Sequence, residues 1–141
     1  MAKAILICGR IGSGKSVYAE KLRLENKAAV LSCDEITLAV SSGCPGEILP
    51  AVKEMLFRKS LELLETDIDI ILEWGFWSKA ERDSAREFYE SRGITCEFHY
   101  IQISDELQRL NLDERNLKVE SGQVRAYIFD EEKTARFNEK F

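Results

Sequence analysis

The chain has few of the residues that interrupt or cross-link a fold. Its 141 residues include 2 prolines, 8 glycines, 4 cysteines and 1 histidine. No two cysteines form a C-x-x-C pair, so neither a zinc site nor a disulfide framework is indicated, and we interpret the cysteines as reduced thiols. His99 has no neighbours at metal-ligand or triad spacing, which favours a structural role for it.

Long apolar runs and net positive charge are also missing. No window reaches the roughly 18 apolar residues that span a bilayer, and the apolar run near the amino terminus is too short for a signal peptide. We therefore expect a soluble, cytoplasmic protein without a membrane partner. The 20 Lys and Arg residues against 25 Asp and Glu give a net charge of -5, so no global basic field attracts a nucleic acid, although a local basic groove is compatible with this balance.

The residues that are present describe one globular domain. Hydrophobic residues make up 45% of the chain and charged residues 32%, which is not the composition of a disordered protein. A chain of this length buries one core and is too short for two ordinary domains, so residues 1–141 are predicted to form a single domain.

Strand-like apolar runs alternate with helix-like segments. This alternation predicts a three-layer α/β fold with a parallel sheet, whose ligands bind at the carboxyl ends of the strands. A capping box is predicted at Ser78 and Glu81. The predicted strands are 3–8, 28–32, 68–73 and 94–103, and the predicted helices are 16–26, 35–40, 47–66, 79 to about 92, one that begins at 104–105, and 130–141.

A glycine-rich stretch lies between the first predicted strand and the first helix. It matches the phosphate-binding loop pattern G-x-x-x-x-G-K-[ST], and the glycines let backbone N–H groups converge on an anionic oxygen at a helix N-terminus. Lys15 is expected to reach the terminal phosphates, and the Ser16 hydroxyl to ligate Mg²⁺. The alternative is a glycine-rich turn that merely precedes a helix. The pattern predicts ATP and Mg²⁺ as cofactors, with nucleotide contacts from Gly9, Gly12, Ser13, Gly14, Lys15 and Ser16.

Two carboxylates follow or end predicted strands near this loop. Phosphoryl transfer requires a clamped donor, neutralised charge and an acceptor held in line. Asp34 is expected to bind the acceptor and to orient or deprotonate its hydroxyl; the alternative is a cap for helix 35–40. Glu73 ends the third predicted strand and is expected to hold Mg²⁺ or the acceptor; the alternative is a salt bridge to a helix.

Arginines and tryptophans complete the predicted site. Arg115 is the favoured phosphate ligand and Arg109 the second, in a predicted lid at about 109–126, and ordinary solvated helix charges are the alternative. Trp74 and Trp77 are expected to line the acceptor pocket, although one or both would equally suit the core.

Several stretches of the chain together resemble the small bacterial P-loop kinases. This group of AAA-type ATP-binding proteins includes zeta toxins, chloramphenicol phosphotransferase and the 5′-hydroxyl polynucleotide kinases. The resemblance implies a sheet of order 2-3-1-4-5, Asp34 as the base toward the acceptor hydroxyl, Arg115 as a lid arginine, and Arg82 as an arginine of the helix after the third strand. The stretches that carry it are 9–16, 32–36, 73–83 and 112–116.

Some positions depart from the pattern of that group. Thr37 occupies the place of an arginine in polynucleotide kinases, which disfavours a nucleic-acid acceptor. Glu73 replaces the aspartate of many relatives, and Asn111 stands where a paired lid arginine is common. The chain also stops inside a helix that in the group leads to a fifth strand. We therefore expect the sheet order 2-3-1-4, in a domain that is either minimal or has lost its last element.

The sequence therefore predicts an ATP- and Mg²⁺-dependent phosphotransferase that moves the γ-phosphate to a hydroxyl of a small-molecule acceptor. A nucleotide-binding P-loop module with little or no transfer activity and a polynucleotide 5′-hydroxyl kinase are the alternatives. A GTP switch is disfavoured because the N-K-x-D and D-x-x-G motifs are absent. The identity of the acceptor and the oligomeric state do not follow from the sequence.

Overall fold

A computed structural model of the chain describes residues 1–41, 48–75 and 78–120. The predicted helix at 130–141 lies outside these ranges, as does the part of the predicted lid beyond residue 120. The strands are β1 (Ala4–Gly9), β2 (Ala29–Leu31), β3 (Ile70–Gly75) and β4 (Cys96–Ile101). The helices are α1 (Lys15–Asn26), α2 (Cys33–Ser41), α3 (Leu49–Glu65), α4 (Lys79–Glu90) and α5 (Asp105–Glu120).

The four strands form a parallel sheet of order β2-β3-β1-β4. Strand β1 is central, with Leu6 paired to Leu72 of β3 on one side and to Phe98 of β4 on the other. All six residues of β1 are buried, which explains why its sequence is continuously apolar instead of alternating. The predicted α/β fold and its strand order are confirmed.

Helices cover both faces of the sheet. Because successive side chains of a strand point to opposite faces, Leu6 and Ile7 belong to different apolar clusters. The cluster around Leu6 includes Leu56 of α3 and Tyr89 of α4, and the cluster around Ile7 includes Leu22 of α1. The predicted three-layer arrangement follows from these two cores.

Serine side chains cap three of the helices at the carboxyl end of the sheet. The Ser104 hydroxyl accepts the Leu107 N–H at 3.1 Å and caps α5, as predicted. The Ser78 hydroxyl accepts the Glu81 N–H at 3.0 Å, as predicted, but the Glu81 carboxylate accepts from Lys53 Nζ at 2.7 Å and so links α4 to α3. The Ser32 hydroxyl accepts the Glu35 N–H at 3.3 Å, so Ser32 caps α2. Asp34 lies inside the first turn of α2, and the alternative that it caps a helix starting at residue 35 is wrong.

Helix α5 does not bury the face on which three of its leucines lie. Leu107, Leu110 and Leu117 are exposed, whereas Gln108 and Leu112 are buried. The buried face of α5 therefore meets a polar surface as well as an apolar one. No helix among residues 1–41, 48–75 and 78–120 is both long and apolar enough to cross a membrane.

Candidate functional site

The glycine-rich loop has the geometry that an anion requires. It connects β1 to α1, and Gly12 and Gly14 adopt positive φ angles of 73° and 93°, a region that glycine enters without steric cost. Gly14 caps α1, whose first turn contains no acidic residue. The N–H groups and the positive dipole end of α1 therefore meet no competing negative charge from the helix itself.

Ser13 lies inside the loop with its hydroxyl buried. The residue is 5% exposed, and its Oγ has no hydrogen-bond partner in the part of the chain that the structure describes. A Cβ added to Gly9 would lie 2.6 Å from this Oγ, so the loop is tight at this point. An orphaned buried hydroxyl is costly unless a ligand satisfies it, and a phosphate oxygen has the right chemistry.

Lys15 folds back over the loop. Its Nζ donates to Gly9 O at 3.1 Å and to Arg10 O at 2.8 Å. Burial lowers the pKa of Lys15 to about 8, and the negative charges of Glu73 and Asp34 oppose this effect. The loop thus holds an ammonium group that is partly desolvated and ready to bind an anion.

Ser16 and Glu73 form the polar contact between the loop and the sheet. The Ser16 hydroxyl donates to Glu73 Oε1 at 3.0 Å. Strand β3 continues to Gly75, so Glu73 lies within the strand. The prediction that Glu73 ends the strand is wrong. Burial raises the pKa of Glu73, while the Ser16 hydrogen bond and the charge of Lys15 lower it.

The donor set at this contact fits Mg²⁺. A hydroxyl and a carboxylate are hard oxygen ligands, and Mg²⁺ is usually held by one or two such protein ligands together with phosphate oxygens and waters. Within the described ranges no group of three or more His, Cys, Asp or Glu side chains could hold a metal ion by itself. Ser16 and Glu73 therefore suit an Mg²⁺ that arrives with a nucleotide.

Asp34 and Arg115 join Lys15 and Glu73 in one electrostatic cluster. Asp34 is exposed, but the protein around it still displaces water and raises the pKa of its carboxyl, against the effects of Arg115 and Lys15. Burial lowers the pKa of Arg115, and Asp34 and Glu73 oppose that effect. Four predicted site residues from α1, α2, β3 and α5 thus lie within electrostatic range of one another.

The other predicted site residues lie in different surroundings. Arg109 pairs with Asp113, one turn further along α5. Trp74 is 8% exposed and packs edge-on against Phe57 in the core, which matches the alternative that it fills the core. Trp77 lies outside the described residues.

The single histidine and the cysteine beside Asp34 have structural surroundings. His99 Nδ1 lies 2.6 Å from the Tyr18 hydroxyl, and its Nε2 lies 3.1 Å from Glu97 Oε1. Cys33 is 1% exposed, and burial raises the pKa of its thiol to about 12, so it is a poor nucleophile at neutral pH.

Two residues at the loop were not identified by sequence reasoning. Gln108 Nε2 donates to Ile11 O at 2.7 Å, and Asn111 Nδ2 donates to Gly12 O at 2.8 Å. In the sequence, Asn111 stands out only as a departure from an arginine. Their three-residue spacing, which continues four residues later at Arg115, was the available signal that they share a helix face.

These features define an α/β domain with a P-loop kinase-like fold. A family model described as an AAA domain matches residues 5–136, which is nearly the whole chain. The chain belongs to this AAA domain family. Among curated protein sequences no match is found.

Solved structures with this fold include kinases and a component of an RNA repair complex. A chain of the Pnkp1/Rnl/Hen1 RNA repair complex aligns with a TM-score of 0.80 and 15% identity over 99% of this chain and 43% of that chain. The Mycobacterium tuberculosis APS kinase CysC, in complex with AMPPNP and APS, aligns with a TM-score of 0.62 and 18% identity over 92% of this chain and 84% of that chain.

A third similar structure is Chaetomium thermophilum Kti12 in complex with ADP-AlF3. It aligns with a TM-score of 0.73 and 15% identity over 98% of this chain and 79% of that chain. Identities this low show a shared fold, and this chain spans less than half of the RNA repair chain that it matches.

Proposed function

We propose that this protein is an ATP- and Mg²⁺-dependent phosphotransferase that moves the γ-phosphate of ATP to a hydroxyl group of a small molecule. The observation that carries this proposal is the meeting of Lys15, Asp34, Glu73 and Arg115 beside a loop built for phosphate. A loop alone supports binding of a nucleotide. A carboxylate and an arginine beside it supply what transfer also needs.

The donor side of the site consists of the loop and the start of α1. The N–H groups near Gly12 and Gly14, the buried Ser13 hydroxyl and the Lys15 ammonium would bind the phosphates. Bound ATP would supply the γ-phosphoryl group, and Mg²⁺ would neutralise part of the negative charge of the phosphates. Ser16 and Glu73 would hold the metal ion at the edge of the loop.

The acceptor side of the site is centred on Asp34. A carboxylate with a raised pKa is a better proton acceptor than an ordinary one, so Asp34 is suited to orient and deprotonate a hydroxyl. Arg115 would bind phosphate oxygens as charge moves during transfer, with Arg109 as a second candidate. In this proposal the chain is a single domain, and residues 109–120 of α5 are the described part of its lid.

A small-molecule acceptor is favoured over a nucleic acid. The net charge is -5, and Thr37 is fully buried, with its hydroxyl donating to Asp34 O at 3.3 Å. The side chain at position 37 therefore does not reach out from α2 toward a backbone phosphate. A polynucleotide 5′-hydroxyl kinase is the second candidate, because the RNA repair chain has a TM-score of 0.80 over 99% of this chain.

The test is transfer of labelled γ-phosphate from ATP to a panel of hydroxyl compounds and 5′-hydroxyl oligonucleotides. Lys15→Met is expected to abolish transfer, and Lys21→Met, an exposed site on the same helix, is the control. Asp34→Asn is expected to remove transfer while retaining ATP binding, with the exposed neighbour Glu35→Gln as its control. Undiminished turnover in Lys15→Met would refute the assignment. Binding of ATP by the wild type without transfer to any compound would favour a nucleotide-binding module.

A further inference from the structure

Helix α5 satisfies the carbonyl oxygens at the apex of the phosphate loop. Gln108 Nε2 donates to Ile11 O at 2.7 Å, and Asn111 Nδ2 donates to Gly12 O at 2.8 Å. Gln108 is 3% exposed, so water does not readily replace its hydrogen bond if the amide is removed. Two successive carbonyl groups of the loop are thus held by neutral donors from one helix.

These hydrogen bonds determine which backbone groups of the loop face a bound anion. The carbonyl groups of Gly9 and Arg10 accept from Lys15 Nζ, so hydrogen bonds from side chains reach four consecutive loop carbonyls. A carbonyl oxygen that turned toward a bound phosphate would repel it. Bonds that hold the carbonyls of Ile11 and Gly12 toward α5 leave the loop N–H groups to face an anion.

The contact between α5 and the loop is also close in steric terms. A Cβ added to Gly12 would lie 2.8 Å from Leu112 Cγ and 3.2 Å from Gln108 O. Next to it, Arg10 Nη1 pairs with Asp105 Oδ1 at 2.5 Å, and Arg10 Nη2 donates to Ile103 O at 2.8 Å. Residues 10–12 of the loop are therefore attached to α5 and to the segment that leads into it.

The same helix face carries Arg115. Side chains three and four residues apart are neighbours on a helix, so Gln108, Asn111 and Arg115 form one row. Arg115 acts electrostatically on Asp34 and Glu73, whose charges oppose the fall in the pKa of Arg115 that burial causes. The contact that holds the loop therefore also determines where Arg115 lies relative to it.

We propose that Gln108 and Asn111 are positioning residues, an amide latch that fixes the conformation of the phosphate loop and sets Arg115 beside it before a nucleotide binds. Preorganised groups bind more tightly because less ordering remains to be done on binding. The consequence for nucleotide affinity rests on the proposed function. The latch itself is measurable in the protein without a ligand.

The experiment uses Asn111→Asp and Gln108→Glu, which keep the shape of each side chain but replace the donor with a carboxylate. The control is Gln102→Glu, because this exposed residue undergoes the same chemical change shortly before α5. Hydrogen exchange of the Ser13 amide, whose N–H donates to Arg10 O at 3.2 Å inside the loop, is measured without ligand. Each latch variant is expected to accelerate this exchange about tenfold, the effect of losing one hydrogen bond, and the control is expected to leave it unchanged.

Nucleotide binding provides the second measurement. The affinity for AMPPNP with Mg²⁺, measured by calorimetry, is expected to fall about tenfold in each latch variant and to stay at the wild-type value in Gln102→Glu. The effect of Arg115→Ala on affinity is expected to shrink in the Asn111→Asp background, because the latch no longer positions the arginine. A purely structural role would not produce this dependence.

Several results would overturn the latch. The first is a latch variant whose loop exchange and AMPPNP affinity equal those of the control. The second is exchange that accelerates equally throughout the domain. The third is an effect of Arg115→Ala on affinity that is the same with and without Asn111. If Asn111→Asp does not fold, Asn111→Ala removes the donor without adding charge, and the same readouts apply. If the wild type binds no nucleotide, the proposed function is wrong, and exchange in the ligand-free protein alone decides the latch.

Discussion

Raising the pH above neutrality is expected to stabilise the ligand-free protein through Lys15. Burial lowers the pKa of this ammonium from 10.5 to about 8 in the folded protein. In the unfolded chain the same group keeps its proton up to the ordinary value. Between the two values the unfolded state binds more protons than the folded state, so the free energy of unfolding increases with pH in this window.

The magnitude follows from the two pKa values. The difference between 10.5 and about 8 corresponds to about 3 kcal/mol, the free energy that burial of the Lys15 charge costs at neutral pH and that is regained as the pH rises through the window. Phosphate binding has the opposite pH dependence, because it requires the charged ammonium group of Lys15. Above about pH 8, nucleotide affinity is expected to fall by up to tenfold for each pH unit.

Urea unfolding of the wild type and of Lys15→Met, measured at intervals across this window, tests the stability effect. Subtraction of the two curves removes the titration of tyrosines and cysteines that both proteins share. The difference between wild type and variant is expected to rise with pH. A difference that stays flat or falls, or a nucleotide affinity that does not change above about pH 8, would refute the reasoning.

Three substitutions test other parts of the structure. Gly12→Ala places a Cβ 2.8 Å from Leu112 Cγ at a φ of +73°, so we expect a loss of about 2 kcal/mol in urea unfolding and weaker phosphate binding; wild-type stability would contradict the packing of α5. Ser78→Ala removes the cap of α4 and is expected to cost about 1 kcal/mol, seen as a lower Tm. Tyr89→Phe removes a buried 2.8 Å hydrogen bond to Ser60 and is expected to cost about 1 kcal/mol, with an unchanged unfolding free energy as the contrary result.

The order of strands and helices was predictable because it depends on local patterns. Apolar runs such as 4–8 are continuous since β1 is buried on both faces, and the pattern reports that burial directly. The predicted ends of the strands and helices were less accurate. Strand β3 extends past Glu73 to Gly75, because pairing with β1 continues as far as Cys8 and determines where the strand stops.

The buried face of α5 was not predictable from hydrophobicity. Its leucines at 107, 110 and 117 indicate one face, yet the helix packs through Gln108 and Leu112. The physical reason is that its partner is the phosphate loop, whose carbonyl groups require hydrogen-bond donors. A polar residue is favoured at such a contact, and a search for apolar periodicity does not detect it.

The amino-acid sequence by itself determined the phosphate loop, because the strand, the glycines, Lys15 and the start of α1 are continuous in the chain and their geometry is local. Only the tertiary structure decided which charged side chains meet that loop. Asp34, Glu73 and Arg115 belong to three separate elements, and the sheet order and the packing of α5 bring them to one place. Contacts between distant segments depend on packing, and packing is a property of the whole fold.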